Sequence, residues 1–158
     1  MRITKAAEYA IRCVFYLSRI GTKDVVNRKQ IAREMEIPEQ FLGKIAQQLN
    51  RAGILEIIQG AKGGLRLSVN PETLNLFDVI EAVMGDIYLN DCLMPSNACF
   101  RNSTCAIHEL WAKARDQFRN TLETATFAGL IERETCLLQQ SGNITPSFEE
   151  SNEKETKP

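Results

Sequence analysis

Ala6, Ala7, Ala10, Ile11, Val14, Phe15 and Leu17 recur at helical spacing, which predicts an amphipathic helix from Thr4 to about Ile20. Thr4 suits its N-cap, because a side-chain oxygen there accepts from an otherwise unpaired amide. Gly21 ends it. Asn27 or Arg28 opens a short helix through Met35, with Ile31 and Met35 on one face, and Glu36-Ile37 forms a turn. Pro38 fits the first position of the next helix, which runs to about Ala52 and stops at Gly53. Around that helix Phe41, Leu42, Ile45, Ala46, Leu49 and Ala52 share a side that should face a core. Gln40, Gly43, Lys44, Gln47 and Arg51 form the opposite stripe, which carries no acidic residue.

The period then changes. Ile54 to Gln59 is apolar and β-prone, Gly60-Ala61-Lys62-Gly63-Gly64 is a turn, and Leu65 to Val69 alternates with period two. Together they predict a hairpin with a basic, glycine-rich tip. Leu76 to Met84 is a further helix, stopped by Gly85, and residues 86–104 are irregular. From about Cys105 a long helix places Ile107, Trp111, Ala114, Phe118, Leu122 and Ala125 in a near-heptad seam. A small domain should be unable to cover that seam alone, so it predicts a homodimer. A short helix is expected over Phe127–Leu138, and the polar segment 139–158 reads as a disordered tail.

The fold class that follows is mainly α with a small β-hairpin: a winged helix-turn-helix domain plus a long dimerisation helix. The expected division is a DNA-binding domain at 1–85, a cysteine-bearing loop at 86–104, the dimerisation helix and short following helix at 105–138, and the tail.

Composition adds little until charge is split along the chain. The 158 residues suit one domain, with 44% hydrophobic and 25% charged positions. No apolar run is long enough for a membrane span, and Met1-Arg2-Ile3-Thr4-Lys5 has no signal-peptide character, so a cytoplasmic protein is expected. Residues 1–70 carry 12 Lys/Arg against 6 Asp/Glu, a net +6, whereas residues 71–158 carry 7 against 14, a net −7. The basic half is the half suited to a polyanion.

In a winged helix-turn-helix, the helix from Pro38 to Ala52 enters the major groove. Gln40 and Gln47 can pair with adenine edges and Lys44 with guanine acceptors. Arg28, Lys29 and Arg51 suit phosphates. Lys62 and Arg66 would set the hairpin tip against a minor groove or the backbone. The competing explanation of the stripe is a helical bundle with an ordinary solvated face. Catalysis finds little footing: there is one histidine, no nucleophile–base pair and no phosphate loop. No catalytic residue and no small-molecule substrate are expected.

Five cysteines in a chain without a signal segment argue against a disulfide framework. Three fall close together, as Cys92-x6-Cys99-x5-Cys105-x2-His108. The spacing is compatible with reduced thiols in a loop, with a structural zinc site, or with an iron–sulfur cluster. Cys13 lies on the apolar side of the first helix and reads as core, and Cys136 has no neighbour in sequence. A cluster- or zinc-binding carrier that does not read DNA is therefore the alternative function.

Several segments, taken in order, are specific together. They are Met1-Arg2-Ile3-Thr4, Tyr9-Ala10, Leu49-Asn50-Arg51-Ala52-Gly53-Ile54-Leu55, Gly63-Gly64-Leu65-Arg66-Leu67, Leu76 to Val83, and Cys105-x2-His108-Glu109-Leu110-Trp111 with the cysteine trio. Over about residues 1–135 the chain resembles the family of winged-helix transcriptional regulators that includes IscR, NsrR and RirA. That resemblance implies a homodimer on double-stranded operator DNA, reading an inverted repeat and usually repressing. It implies an iron–sulfur cluster that answers to iron, redox state or nitric oxide, 2Fe-2S favoured over 4Fe-4S. It makes Cys92, Cys99 and Cys105 cluster ligands, with His108 as the fourth and Glu8 of the partner subunit as the alternative. The first cysteine gap is one residue longer than in the IscR-like branch, and Gly43 stands where that branch has a glutamate that helps govern which DNA sites are bound.

Overall fold

Among the described residues, six α-helices and one hairpin follow the predicted order: α1 (Lys5–Ile20), α2 (Arg28–Glu34), α3 (Glu39–Arg51), β1 (Leu55–Ile58), β2 (Gly64–Leu67), α4 (Leu76–Met84), α5 (Ala106–Glu123) and α6 (Phe127–Gln140). They are seen in a computed structural model, in which residues 3–95 and 99–141 are described. The segment 142–158, most of the expected tail, lies outside the described residues.

Local chemistry explains most boundaries. Thr4 Oγ1 accepts from the Ala7 amide at 3.2 Å, and Asn27 Oδ1 accepts from the Lys29 amide at 2.8 Å. Asn75 and Asp78 form a reciprocal capping box at the start of α4. Pro38 lies one place further out than predicted, at the N-cap of α3, and its carbonyl accepts from Phe41 and Leu42. The turn between α2 and α3 is tight enough to hold Glu36 at φ 52°. α6 extends to Gln140, beyond the expected end at Leu138.

α1 runs through the core. Ala10, Cys13, Val14 and Leu17 pack with Ile31 of α2, Leu42, Ile45 and Leu49 of α3, the hairpin leucines and Phe127 of α6. Cys13 is core, as expected. Burial pushes its thiol up to about 12, so it stays protonated and inert at neutral pH. Among the described residues no helix is long and apolar enough to cross a membrane.

The hairpin is antiparallel, with Leu55 opposite Leu67 and Ile58 opposite Gly64. A third extended segment joins it, because Val26 and Leu65 exchange backbone hydrogen bonds of 2.9 and 2.8 Å. This approach requires glycine at 64. A Cβ there would penetrate the Val26 carbonyl, with the Asn27 nitrogen at 3.1 Å. Backbone on both sides cannot yield, so Gly64→Ala should cost about 1–3 kcal/mol. A urea titration reads this directly, and an unchanged midpoint would show that the close approach carries no energetic weight.

The seam of α5 departs from expectation. Phe118 and Leu122 pack within the chain, against a cluster formed by Ala7, Phe77, Ile80 and Ile87. The physical reason is that α4 and the segment after it fold back under the C-terminal half of α5. What remains uncovered is the N-terminal half, where Ile107 is 66% and Leu110 is 65% exposed.

Candidate functional site

α2, its turn and α3 form the helix-turn-helix, and the hairpin stands beside it. Leu42, Ile45, Ala46 and Leu49 of α3 are buried. Gln40, Lys44, Gln47 and Arg51 are exposed on the other side, as the stripe predicted. Two of the expected inward residues differ. Ala52 is exposed at the end of the helix, and Phe41 is 43% exposed at the rim. The Phe41 ring rests on Tyr9 of α1, with centroids 6.0 Å apart, so an aromatic partner rather than the core takes its apolar surface. Two polar contacts hold the unit: Arg12 Nη1 donates to the Met35 carbonyl at 3.3 Å, and Gln48 Nε2 donates to the Val83 carbonyl at 3.3 Å.

The cations differ in how they are paired; within the helix-turn-helix, Arg33 pairs with Glu34. On α1 and α5, Lys5, Arg12, Arg19, Arg115 and Arg119 each form an ion pair with Glu or Asp. Arg28, Lys29, Lys44, Arg51 and Lys62 form none among the described residues, and all five are exposed. Surface pairs contribute little to stability. Their absence here leaves a face of uncompensated positive charge around the stripe. Arg66 departs from this pattern: its Nη2 donates to Glu56 Oε2 at 2.6 Å, across the hairpin. Its charge is compensated within the hairpin, which separates it from the other predicted DNA contacts. Lys23, which residue type and spacing did not single out, is a further exposed lysine without an ion pair among the described residues. It precedes the Val26 bridge to the hairpin. Its sequence setting is that of any polar loop. A cleft of about 490 Å³ opens between the start of α2 and the hairpin, lined by Asn27, Arg28, Lys29, Glu39 and residues 57–61, among others.

The second group of candidates surrounds the start of α5. Cys105 is its N-cap, and Cys105 Sγ accepts from the His108 amide at 3.4 Å. His108 Nδ1 is buried and finds no hydrogen-bond partner among the described residues. Cys92 is half-buried in a short 3-10 turn, and Cys99 is exposed. Among the described residues no three His, Cys, Asp or Glu side chains are gathered tightly enough to hold a metal ion. Such shells are commonly closed by the metal itself, which offsets the repulsion of several thiolates. Glu8 is already engaged. Lys5 and Arg12 donate to it at 2.7 and 2.8 Å, and the Lys5 hydrogen bond leads in holding its carboxyl below the usual carboxylate range.

A recognition helix with an exposed amide-rich stripe, a short helix braced against it and an adjoining β-wing define a DNA-binding regulator of the winged helix-turn-helix class. The chain belongs to the Rrf2 family, described as iron-dependent transcriptional regulators, whose pattern matches residues 3–133. It is 29% identical over 132 residues to the HTH-type transcriptional regulator NsrR of Bacillus licheniformis, covering 83% of this chain and 92% of that protein. Its fold is similar to CymR, the global cysteine regulator of B. subtilis, with TM-score 0.70, 24% identity, and 84% and 98% of the two chains covered. It is also similar to IscR of T. potens, with TM-score 0.69, 18% identity, and 94% and 95% covered. The resemblance drawn from the ordered segments therefore holds, and so does the predicted fold class.

Proposed function

We propose that this regulator acts as a homodimer, usually repressing, on an inverted-repeat operator, and that an iron–sulfur cluster sets its affinity. The observation that carries the DNA part is the set of unpaired cations around an acid-free stripe. Lys29, Arg51 and Lys62 neutralise phosphates, while Gln40, Lys44 and Gln47 read base edges. Lys44→Ala or Gln47→Ala should cost about 1–3 kcal/mol at a cognate operator. Lys62→Ala should weaken all sequences alike and lower the salt slope by about one unit. Fluorescence anisotropy across salt measures both, and unchanged affinity in all three variants would sink the assignment.

The donor set fits an iron–sulfur cluster in chemistry. Cys92, Cys99 and Cys105 supply thiolates, and the N-terminus of α5 favours negative charge on Cys105. The Nδ1 that has no partner among the described residues favours His108 as the fourth ligand over Glu8 of the partner subunit, whose oxygens Lys5 and Arg12 already hold. When bound, the cluster supplies a redox- and nitric-oxide-sensitive centre. The protein's part is to hold Cys105 and His108 together at the start of α5 and to supply Cys92 and Cys99 from the segment before it. Anaerobic purification with a visible spectrum and iron and sulfide assays tests this. Equimolar zinc, or bare thiols after reconstitution, would overturn it.

The uncovered half of α5 supports the dimer. Introducing Ile107→Glu together with Leu110→Glu should convert the protein to a monomer of 17.8 kDa that binds the operator poorly. Light scattering at micromolar concentration decides, and a monomeric wild type removes both the dimer and the inverted repeat.

A further inference from the structure

We propose that Arg28 reads a base, seated in the notch that Gly43 leaves on the recognition helix. The inference rests on the DNA-binding function proposed above and adds a specificity residue to it. Residue type and position alone assign Arg28 to a phosphate. The geometry points elsewhere.

Gly43 lies on α3 between Gln40 and Gln47, one helical turn from each, on the stripe that faces out. A glycine in a helix interior is unfavourable, so its presence there calls for a local reason. A Cβ built at Gly43 would have one neighbour within 4 Å, Nη1 of Arg28 at 3.8 Å. The guanidinium of the first residue of α2 thus lies at ordinary contact distance from where a Cβ at position 43 would stand. A longer side chain at 43 would share that part of the stripe with it.

Among the described residues, no carboxylate pairs with that guanidinium. Arg28 forms no ion pair among the described residues, and Glu39, which lines the same cleft, does not pair with it. It is exposed, and the cleft beside it opens toward the wing. A phosphate clamp belongs at the edge of a recognition helix. This cation lies beside Gly43, which is one helical turn from Gln40 and one from Gln47 on the outward stripe. A planar five-donor fork in that position matches the O6 and N7 acceptors of guanine. The reading surface is then a composite: Gln40, Lys44 and Gln47 from α3, and Arg28 from α2.

The test uses the full-length protein and a duplex pool randomised across two half-sites, followed by anisotropy titrations on the selected site and its single-base variants. Arg28→Ala should erase a guanine preference of roughly ten- to a hundredfold at one base pair per half-site and leave the other positions selective. Arg28→Lys keeps the charge and the salt slope but loses the fork, so it should lose the same preference. Gly43→Leu fills the notch and should reproduce the effect. Gly43→Ala makes only an ordinary contact and should keep the preference, and circular dichroism melts establish that each variant folds. Lys29→Ala should lower affinity for every sequence evenly. If Arg28→Ala behaves like Lys29→Ala, with base preferences intact, Arg28 is a phosphate contact and the proposal falls. If Lys44→Ala and Gln47→Ala also leave every preference intact, the failure lies with α3 as the recognition helix.

Discussion

Anaerobically purified Cys105→Ala protein is expected to carry no iron or sulfide, and Cys92→Ala and Cys99→Ala should behave alike. Cys13→Ala and Cys136→Ala should retain the full content. The contrast follows from position. Cys13 is sealed in the core with its thiol pushed up to about 12, and Cys136 is exposed on α6, well removed in sequence from the cysteine loop. Cys105 has a second role as the N-cap of α5, so Ala there also removes a cap, a loss of about 1 kcal/mol. Cys105→Ser separates the two effects, because its hydroxyl can cap while being a poor soft-metal ligand. It should match the wild type in thermal stability of the apo form and match Cys105→Ala in iron content. Operator affinity should change between the loaded and apo wild type and be the same in the three trio variants. Full iron in all three trio variants would falsify the ligand assignment.

Truncation of Phe127 to Ala should cost about 3–5 kcal/mol, a large share of the stability of a domain this size. The ring is fully buried where α6 meets α1. Its backbone is tied in as well: the Phe127 amide donates to the Leu74 carbonyl at 2.9 Å, and the Leu76 amide donates to the Ala125 carbonyl at 3.0 Å. Few neighbours can collapse into the space, because these backbone bonds fix the start of α6 to the start of α4. Leu137→Ala on the same helix, where the side chain is 48% exposed, should cost far less. Urea unfolding of the apo protein reads both. A Phe127→Ala loss below about 1 kcal/mol would mean that α6 is not part of the cooperative core.

Much of the architecture is legible without coordinates, for a physical reason. Helix periodicity, capping and glycine stops act over three or four residues, so Thr4, Asn27, Gly21 and Gly53 mark boundaries from their local chemistry. The period-two run after Gly64 marks the wing in the same way. Residue type alone exposes the amide and lysine stripe of α3 and sets Cys13 in the core. The ordered segments carry the family, which the match over residues 3–133 bears out.

What tertiary structure decided is which groups meet. An apolar face says that something covers it, not what. Thus Phe41 found Tyr9 instead of the core, and Phe118 and Leu122 found α4 while Ile107 and Leu110 stayed open. A basic residue announces a charge, not its partner: Arg66 is held by Glu56 across the hairpin, and Arg28, with no ion pair among the described residues, lies beside Gly43. The determinant in each case is contact between residues distant in sequence. Such contacts are set by how helices and hairpin pack around α1, and periodicity, which is local, does not carry them.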